Sequence, residues 1–220
     1  METALLSKNH ASGHSETYRK LITALLGGAV ICPWSFPAEA RLLEQQDIRN
    51  KINGWVSDLG MELAETSSGR GNYLVYRGFD PTVKAVARDM FSRVMKDLRF
   101  YVRMLEVLMN SFHADITMVA GEELRFHDLL NKVGQSPSLQ SQLSELSSSK
   151  KHSAVKEQLE SLFQRLVKEG LLVEANAKHS IYQVTARIEL IQDVIIFIGE
   201  SEKLSGPESE SPSPRQGSLS

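Results

Sequence analysis

A chain of 220 residues, 41% hydrophobic and 24% charged, has the composition of a globular protein and is long enough for one large domain or two small ones. The formal net charge of −2 argues against a protein that coats nucleic acid by bulk charge, and no run approaches the roughly 18–20 apolar residues of a membrane-spanning helix. Cys32 is the only cysteine, which excludes an intrachain disulfide, and the first residues lack the basic, apolar, small-residue layout of a signal peptide; a cytoplasmic protein is expected.

Residues 1–14 are polar and aperiodic and read as a disordered tail. A first helix is expected over Ser15–Leu26, capped by Ser15, with Tyr18, Leu21, Ile22 and Leu25 on one face and Gly27-Gly28 as its stop. Ala29–Pro37, with two prolines, Trp34 and Phe36, reads as a packed connection. Ala38–Leu59 is helical in composition, and Ile48, Ile52, Trp55, Val56 and Leu59 form its expected buried stripe. Gly60 ends it. Met61–Glu65 then alternates as a strand, Ser67-Ser68-Gly69-Arg70-Gly71 signals a turn, and Tyr73–Arg77 returns as a second strand.

The longest helix follows, with Asp80 as its cap, Pro81 in its first turn, and an apolar stripe of Val83, Met90, Val94, Leu98, Tyr101, Leu105, Leu108 and Phe112. Lys84, Arg88, Arg99 and Arg103 cluster on another face, which reads first as a solvated face and second as a surface for phosphates or an acidic partner. Ile116–Val119 is β-branched and short, as a strand would be. A helix is expected over Gly121–Val133, with Leu124, Leu129, Leu130 and Val133 facing inward. Gln135–Lys151, rich in Ser, Gln and Leu, reads as a marginal helix inside a mobile insertion.

Ser153–Thr185 is the most informative stretch. Val155, Leu159, Leu162, Phe163, Leu166 and Val167 recur as one helical stripe, leaving Lys156, Glu157, Glu160, Gln164, Arg165 and Lys168 for solvent or a partner. Gly170 stands where a left-handed residue would stop the helix. The apolar run Leu171–Glu174, the polar turn Ala175–Ser180 and the β-rich Ile181–Thr185 then form a hairpin pattern. Helix, glycine, strand, basic turn and strand is the layout of a winged helix, and Ile48–Arg77 has the same layout. Ala186–Gly199 reads as a closing helix carrying Ile188, Ile191, Val194, Ile195 and Ile198, although its β-branched content also suits a strand. Glu200–Ser220 is Pro/Ser-rich and expected to be disordered. The expected fold is therefore mainly α with small β-hairpin wings (α+β). A winged-helix domain over 15–80 is joined by the long helix to a second one within 81–199, which holds the insertion 135–151.

No catalytic or metal-binding pattern emerges. His10, His14, His113, His127, His152 and His179 make neither HExxH nor a Cys/His zinc spacing, and Cys32 has no histidine nearby in sequence to activate it. Gly27-Gly28 follows a helix instead of opening one, so it is no phosphate loop, and Gly69-Arg70-Gly71 lacks the Lys-Ser/Thr of a nucleotide site. The expectation is a non-enzyme without cofactor or metal. The basic residues Arg70 in the first wing, Lys178 with His179 in the second, and Lys150 and Lys151 before the main helix are the candidate DNA contacts; a solvated turn is the plainer reading of each. The main helix has balanced charge and lacks the Asn/Gln/Arg cluster of a base reader, so any DNA contact would be sequence-independent and strongly salt-dependent.

Across Leu21–Glu200 the order and spacing of these elements resemble the MukE/MksE family, the tandem winged-helix (KITE-type) accessory subunits of bacterial SMC condensins. The resemblance is carried by Ile48–Gly78, with its Met-Glu-Leu strand and Tyr73-Leu-Val-Tyr-Arg77, and by Glu157–Thr185, where Gln158-Leu-Glu-Ser-Leu-Phe-Gln-Arg-Leu-Val-Lys-Glu-Gly170-Leu resembles the family's last long helix entering its wing. The insertion Gln135–Lys151 sits where the family has one, and the short Pro/Ser-rich tail is more similar to the MksE branch than to enterobacterial MukE. The resemblance implies a homodimeric, non-enzymatic subunit that binds the middle region of a kleisin and sits with it at the heads of an SMC-type ATPase. It also implies a cytoplasmic, nucleoid-associated role in chromosome organisation and segregation or in plasmid defence. Such proteins also contact DNA, which adds weight to Arg70, Lys150, Lys151 and Lys178. The alternative is a winged-helix transcriptional regulator, dimeric through the long helix and requiring a sequence-specific footprint.

Overall fold

The computed structural model describes residues 15–78, 81–112, 118–146 and 154–204. They form a mainly helical chain with two small antiparallel sheets. The expected tails at 1–14 and beyond residue 204, and the Asp80 cap, lie outside the described residues.

Helix α1 covers residues 15–26. The single helix expected over 38–59 is in fact two, α2 (Pro37–Leu43) and α3 (Gln46–Ser57), with a turn between them. In one straight helix Leu43 and Ile52 would stand roughly 14 Å apart along the axis, at about 1.5 Å per residue. The break brings Leu42, Leu43, Ile52 and Val56 into one buried cluster with Leu21, Leu25 and Ile31. The stripe expected on α3 is half right. Ile52 and Val56 are fully buried, but Trp55 and Leu59 are 43% and 50% exposed. Strands β1 (Met61–Glu65) and β2 (Asn72–Tyr76) pair as a hairpin, Met61 opposite Tyr76 and Glu65 opposite Asn72. Ile31 bridges the free edge of β2, exchanging backbone hydrogen bonds of 2.8 and 2.9 Å with Asn72.

Helix α4 (Pro81–Phe112) is the long helix, and Met104, Leu105 and Leu108 sink its C-terminal half into a second core. The helix expected from Gly121 starts later. Strand β3 (Glu123–Arg125) comes first, then α5 (Phe126–Gln135), because Glu123–Arg125 pairs with Gln183–Ile181 and long-range pairing overrides local helical propensity. Of the strand expected at Ile116–Val119, residues 116 and 117 lie outside the described residues, while Met118 and Val119 are irregular and Met118 is buried.

Of the insertion expected at 135–151, residues 147–151 lie outside the described residues, and the rest holds the expected helix. Helix α6 (Pro137–Leu146) sets Leu139 and Leu143 among the buried residues and packs on α4 and on α7 (Val155–Lys168). Leu159, Leu162, Phe163 and Leu166 are the buried stripe of α7, and Phe163 packs edge-on between Phe126 and Tyr182, with ring centroids 5.4 and 4.8 Å away. Gly170, at φ +72°, ends the helix: its N–H reaches Val167 O and the Leu171 N–H reaches Leu166 O, the paired bonds of a Schellman cap. Strands β4 (Leu172–Asn176) and β5 (Ile181–Val184), joined through a 3-10 turn at Ala177–His179, complete a sheet of order β3-β5-β4. The last element, α8 (Arg187–Leu204), is helical where a strand was an alternative, and it runs past Gly199 into the expected tail.

Candidate nucleic-acid interface

The turn that joins β1 to β2 is tightly tied to itself. Thr66 N–H and Gly71 O bond at 2.8 Å, Thr66 Oγ1 accepts from Gly71 N–H at 3.1 Å, and Ser68 Oγ accepts from Arg70 N–H at 3.2 Å. The turn then docks on the second half of the chain. Ser68 Oγ donates to Glu189 Oε2 at 2.6 Å, Ala120 N–H donates to Glu189 Oε1 at 3.0 Å, and Arg70 Nη1 donates to Ala120 O at 2.7 Å. One buried carboxylate and one guanidinium thus clasp both polar groups of the Ala120 peptide.

An apolar seam lies under this clasp. Val30, Cys32, Ala120 and Ala186 are buried together, flanked by Trp34, Tyr73 and Leu190. Two glycines allow the approach. A Cβ on Gly71 would stand 2.5 Å from Ala186 Cβ and 2.7 Å from Val30 Cγ1, and one on Gly121 would run into the Trp34 ring. Burial, followed by the negative charge of Asp193 on α8, pushes the Tyr73 phenol above its ordinary range. Two open crevices flank the seam and share Trp34 and Arg70. One, of about 320 Å³, is walled by Val119–Glu122; the other, of about 470 Å³, is lined by Ile31, Arg49, Glu65 and Asn72 among others. Arg49 is already held there, donating to Asn72 Oδ1 at 2.9 Å and to Glu65 Oε1 at 2.7 Å.

Arg70 lies in the turn between β1 and β2, where the sequence places it. It remains exposed, but one of its nitrogens is committed to the seam. Lys178 stands where expected, exposed beside His179 in the turn between β4 and β5, where Asn176 Oδ1 accepts from His179 N–H at 3.3 Å. Arg70 and Lys178 are not brought together. Arg70 reaches the chain beside Gly121, whose N–H bonds to Val184 O at one end of β5, and Lys178 lies beyond the other end. The strand between them is roughly 13 Å long at about 3.3 Å per residue. Lys150 and Lys151 lie outside the described residues.

The exposed face of α7 offers few uncommitted cations. Lys156 Nζ lies 3.7 Å from Glu160, and Arg165 reaches Asp97 at 3.5 Å and Glu169 at 2.7 Å while stacking 3.3 Å over the Phe100 ring. On the basic face of α4, Arg103 pairs with Glu106 at 3.5 Å and with Glu145 of α6 at 3.4 Å, which leaves that face partly neutralised. Cys32 is buried, with Sγ 3.0 Å from Ser35 Oγ. Among the described residues no three His, Cys, Asp or Glu side chains converge as metal ligands would, and no helix is long and apolar enough to cross a membrane.

The residues that sequence reasoning missed are Ser68, Trp34 and Glu189. The sequence places Trp34 in a packed connection and Ser68 in a turn but gives neither a partner, and Glu189 is one of two charged residues in Ala186–Ile191, beside Arg187. The sequence matches no protein-family model and no curated protein.

Proposed function

We propose that this chain is a non-enzymatic accessory subunit of a bacterial condensin, of the MukE/MksE kind, built from two tandem winged-helix units joined by α4. The observation that carries the reading is a layout that occurs twice. In the second half, β3, α5, α6, α7, β4 and β5 follow one another, and the sheet order β3-β5-β4 sets the first strand beside the last, which supports the winged-helix reading. In the first half, Ile31 sits on the edge of β2 where β3 sits on β5, and α2, α3, β1 and β2 follow. In this reading the subunit is a homodimer that binds a kleisin and, through it, an SMC-type ATPase. It works in the cytoplasm at the nucleoid, in chromosome organisation and segregation or in plasmid defence.

DNA contact is sequence-independent, made by Lys178, Lys150, Lys151 and the remaining donors of Arg70. The paired charges of α7 leave few of its side chains for base edges and count against a transcriptional regulator, whose main helix needs them free. The test is affinity purification from native lysate with mass spectrometry of the co-purifying proteins. A kleisin and a large coiled-coil ATPase are the expected result. Recovery of neither, with one discrete promoter fragment bound instead, overturns the reading in favour of the regulator.

A further inference from the structure

Seven large hydrophobic side chains are exposed among the described residues, and three of them, Leu26, Trp55 and Leu59, belong to the α1–α3 side of the molecule. Each of these helices has already used one face for the core, Leu21 and Leu25 on α1 and Ile52 and Val56 on α3. Beside these faces run second rows, of which Tyr18 and Ile22 are half-buried at the edge of the same core. Tyr18, Ile22 and Leu26 recur every four residues along α1; Lys51 and Trp55 do the same along α3, with Leu59 just past its end. Four-residue spacing keeps each set on one helix face.

Between the stripes lies a groove of about 380 Å³ lined by Tyr18, Arg19, Ile22, Thr23, Lys51 and Trp55. Its lining holds two cations and no carboxylate. Lys51 Nζ sits 4.9 Å from the centre of the Tyr18 ring, so that cation is held at the rim of the groove. Glu16, the acid nearest on α1, is paired with Lys20 at 2.9 Å and is not part of the lining.

We propose that this groove docks an acidic amphipathic segment of a partner protein, whose apolar anchors pack on Ile22 and Trp55 and whose carboxylates meet Arg19 and Lys51. An apolar trough with a tryptophan and a cationic rim suits a helix laid in by its apolar face, and tryptophan and arginine are the side chains that most often dominate such contacts. A second copy of the same groove fits poorly, because face-to-face grooves would oppose cation to cation. The inference rests on the proposed function only in taking the chain as a docking subunit, and it assigns that role a surface.

The experiment titrates the full chain with a fluorescein-labelled helical peptide carrying leucines at helical spacing and glutamates elsewhere, and with a twin in which lysine replaces glutamate. Anisotropy reports binding, and sedimentation reports oligomeric state. The acidic peptide is expected to bind and the basic twin not to. Trp55→Ala should weaken binding by roughly tenfold or more, and Lys51→Glu should shift preference toward the basic twin. Both side chains are exposed, so circular dichroism of the variants should stay unchanged. Equal binding of the two peptides, or indifference to Trp55→Ala, overturns the proposal. Loss of a dimer in Trp55→Ala without peptide binding also overturns it, by identifying a second copy as the occupant. The peptides need neither kleisin nor ATPase, so a negative result leaves the condensin reading intact, and a failed co-purification leaves the groove intact.

Discussion

Ser68 and Glu189, 121 residues apart in the chain, meet in a 2.6 Å hydrogen bond from the serine hydroxyl to the carboxylate. The other carboxylate oxygen takes the Ala120 N–H at 3.0 Å, and Glu189 is only 4% exposed. One side chain therefore ties the β1–β2 turn, the approach to β3 and the start of α8 together. Glu189→Ala leaves the Ala120 N–H buried without an acceptor and should cost about 1–3 kcal/mol, with Glu189→Gln costing less because an acceptor remains. Urea unfolding measures it; an unchanged midpoint for Glu189→Ala would show that the clasp contributes nothing.

The seam also predicts opposite outcomes for two glycine substitutions. Gly71→Ala places a methyl group 2.5 Å from Ala186 Cβ and should destabilise by about 1–3 kcal/mol through overpacking. Gly54→Ala, inside α3 with nothing within 4 Å, should stabilise by up to about 1 kcal/mol through helix propensity. Thermal unfolding of the pair decides; equal shifts would mean the two halves do not pack as closely as this.

Helix α6 is a test of core membership. Leu143 is fully buried against α4 and α7. Leu143→Ala should cost about 2–5 kcal/mol. A mobile insertion would tolerate the change, so a melting temperature within error of the parent would return α6 to the surface.

Stability should fall at alkaline pH. Burial is the main cause raising the phenols of Tyr73, Tyr101 and Tyr182, followed by the negative charges of Asp193, Glu169 and Glu174 respectively. A raised phenol loses its proton in the unfolded chain first. Its stabilising contribution is therefore whole below about pH 10 and is lost as pH rises through the folded-state value. Unfolding midpoints against pH should bend downward above about pH 10, and Tyr101→Phe should flatten the bend. A profile identical in parent and variant would remove Tyr101 as a contributor.

If DNA is held as proposed, Lys178 and Arg70 behave differently. Lys178→Glu should weaken DNA retention across all sequences and lower the salt slope by about one, with no change in unfolding. Arg70→Glu should weaken retention and also destabilise, because it removes the 2.7 Å bond to Ala120. Reversing Arg70, Lys150, Lys151 and Lys178 together should abolish retention and leave the sedimentation coefficient unchanged. Salt titrations of retention by filter binding that match the parent would exclude these residues as DNA contacts.

Much of this architecture is legible in the chain because it is written locally. The stripe Leu159–Leu166 and the stop at Gly170 specify α7 without reference to anything distant, and the same holds for α4 and the β1–β2 hairpin. The reading of the candidate site was less complete. Lys178 and Arg70 stand in their turns as expected, but nothing near Arg70 in sequence announces its bond to Ala120.

Periodicity by itself determined the stripes of α1, α4 and α7, the stop of α7 at Gly170, and that two helix–hairpin layouts follow one another. Tertiary structure alone decided that Glu123–Arg125 is a strand, that α6 belongs to the core, that Trp55 faces outward and that Glu189 is buried. The reason is physical. An apolar spacing states which face of an element prefers to leave water, but whether that face is covered depends on where distant elements are packed. A three-residue strand likewise exists only through the hydrogen bonds of its partner, here Ile181–Gln183 of β5.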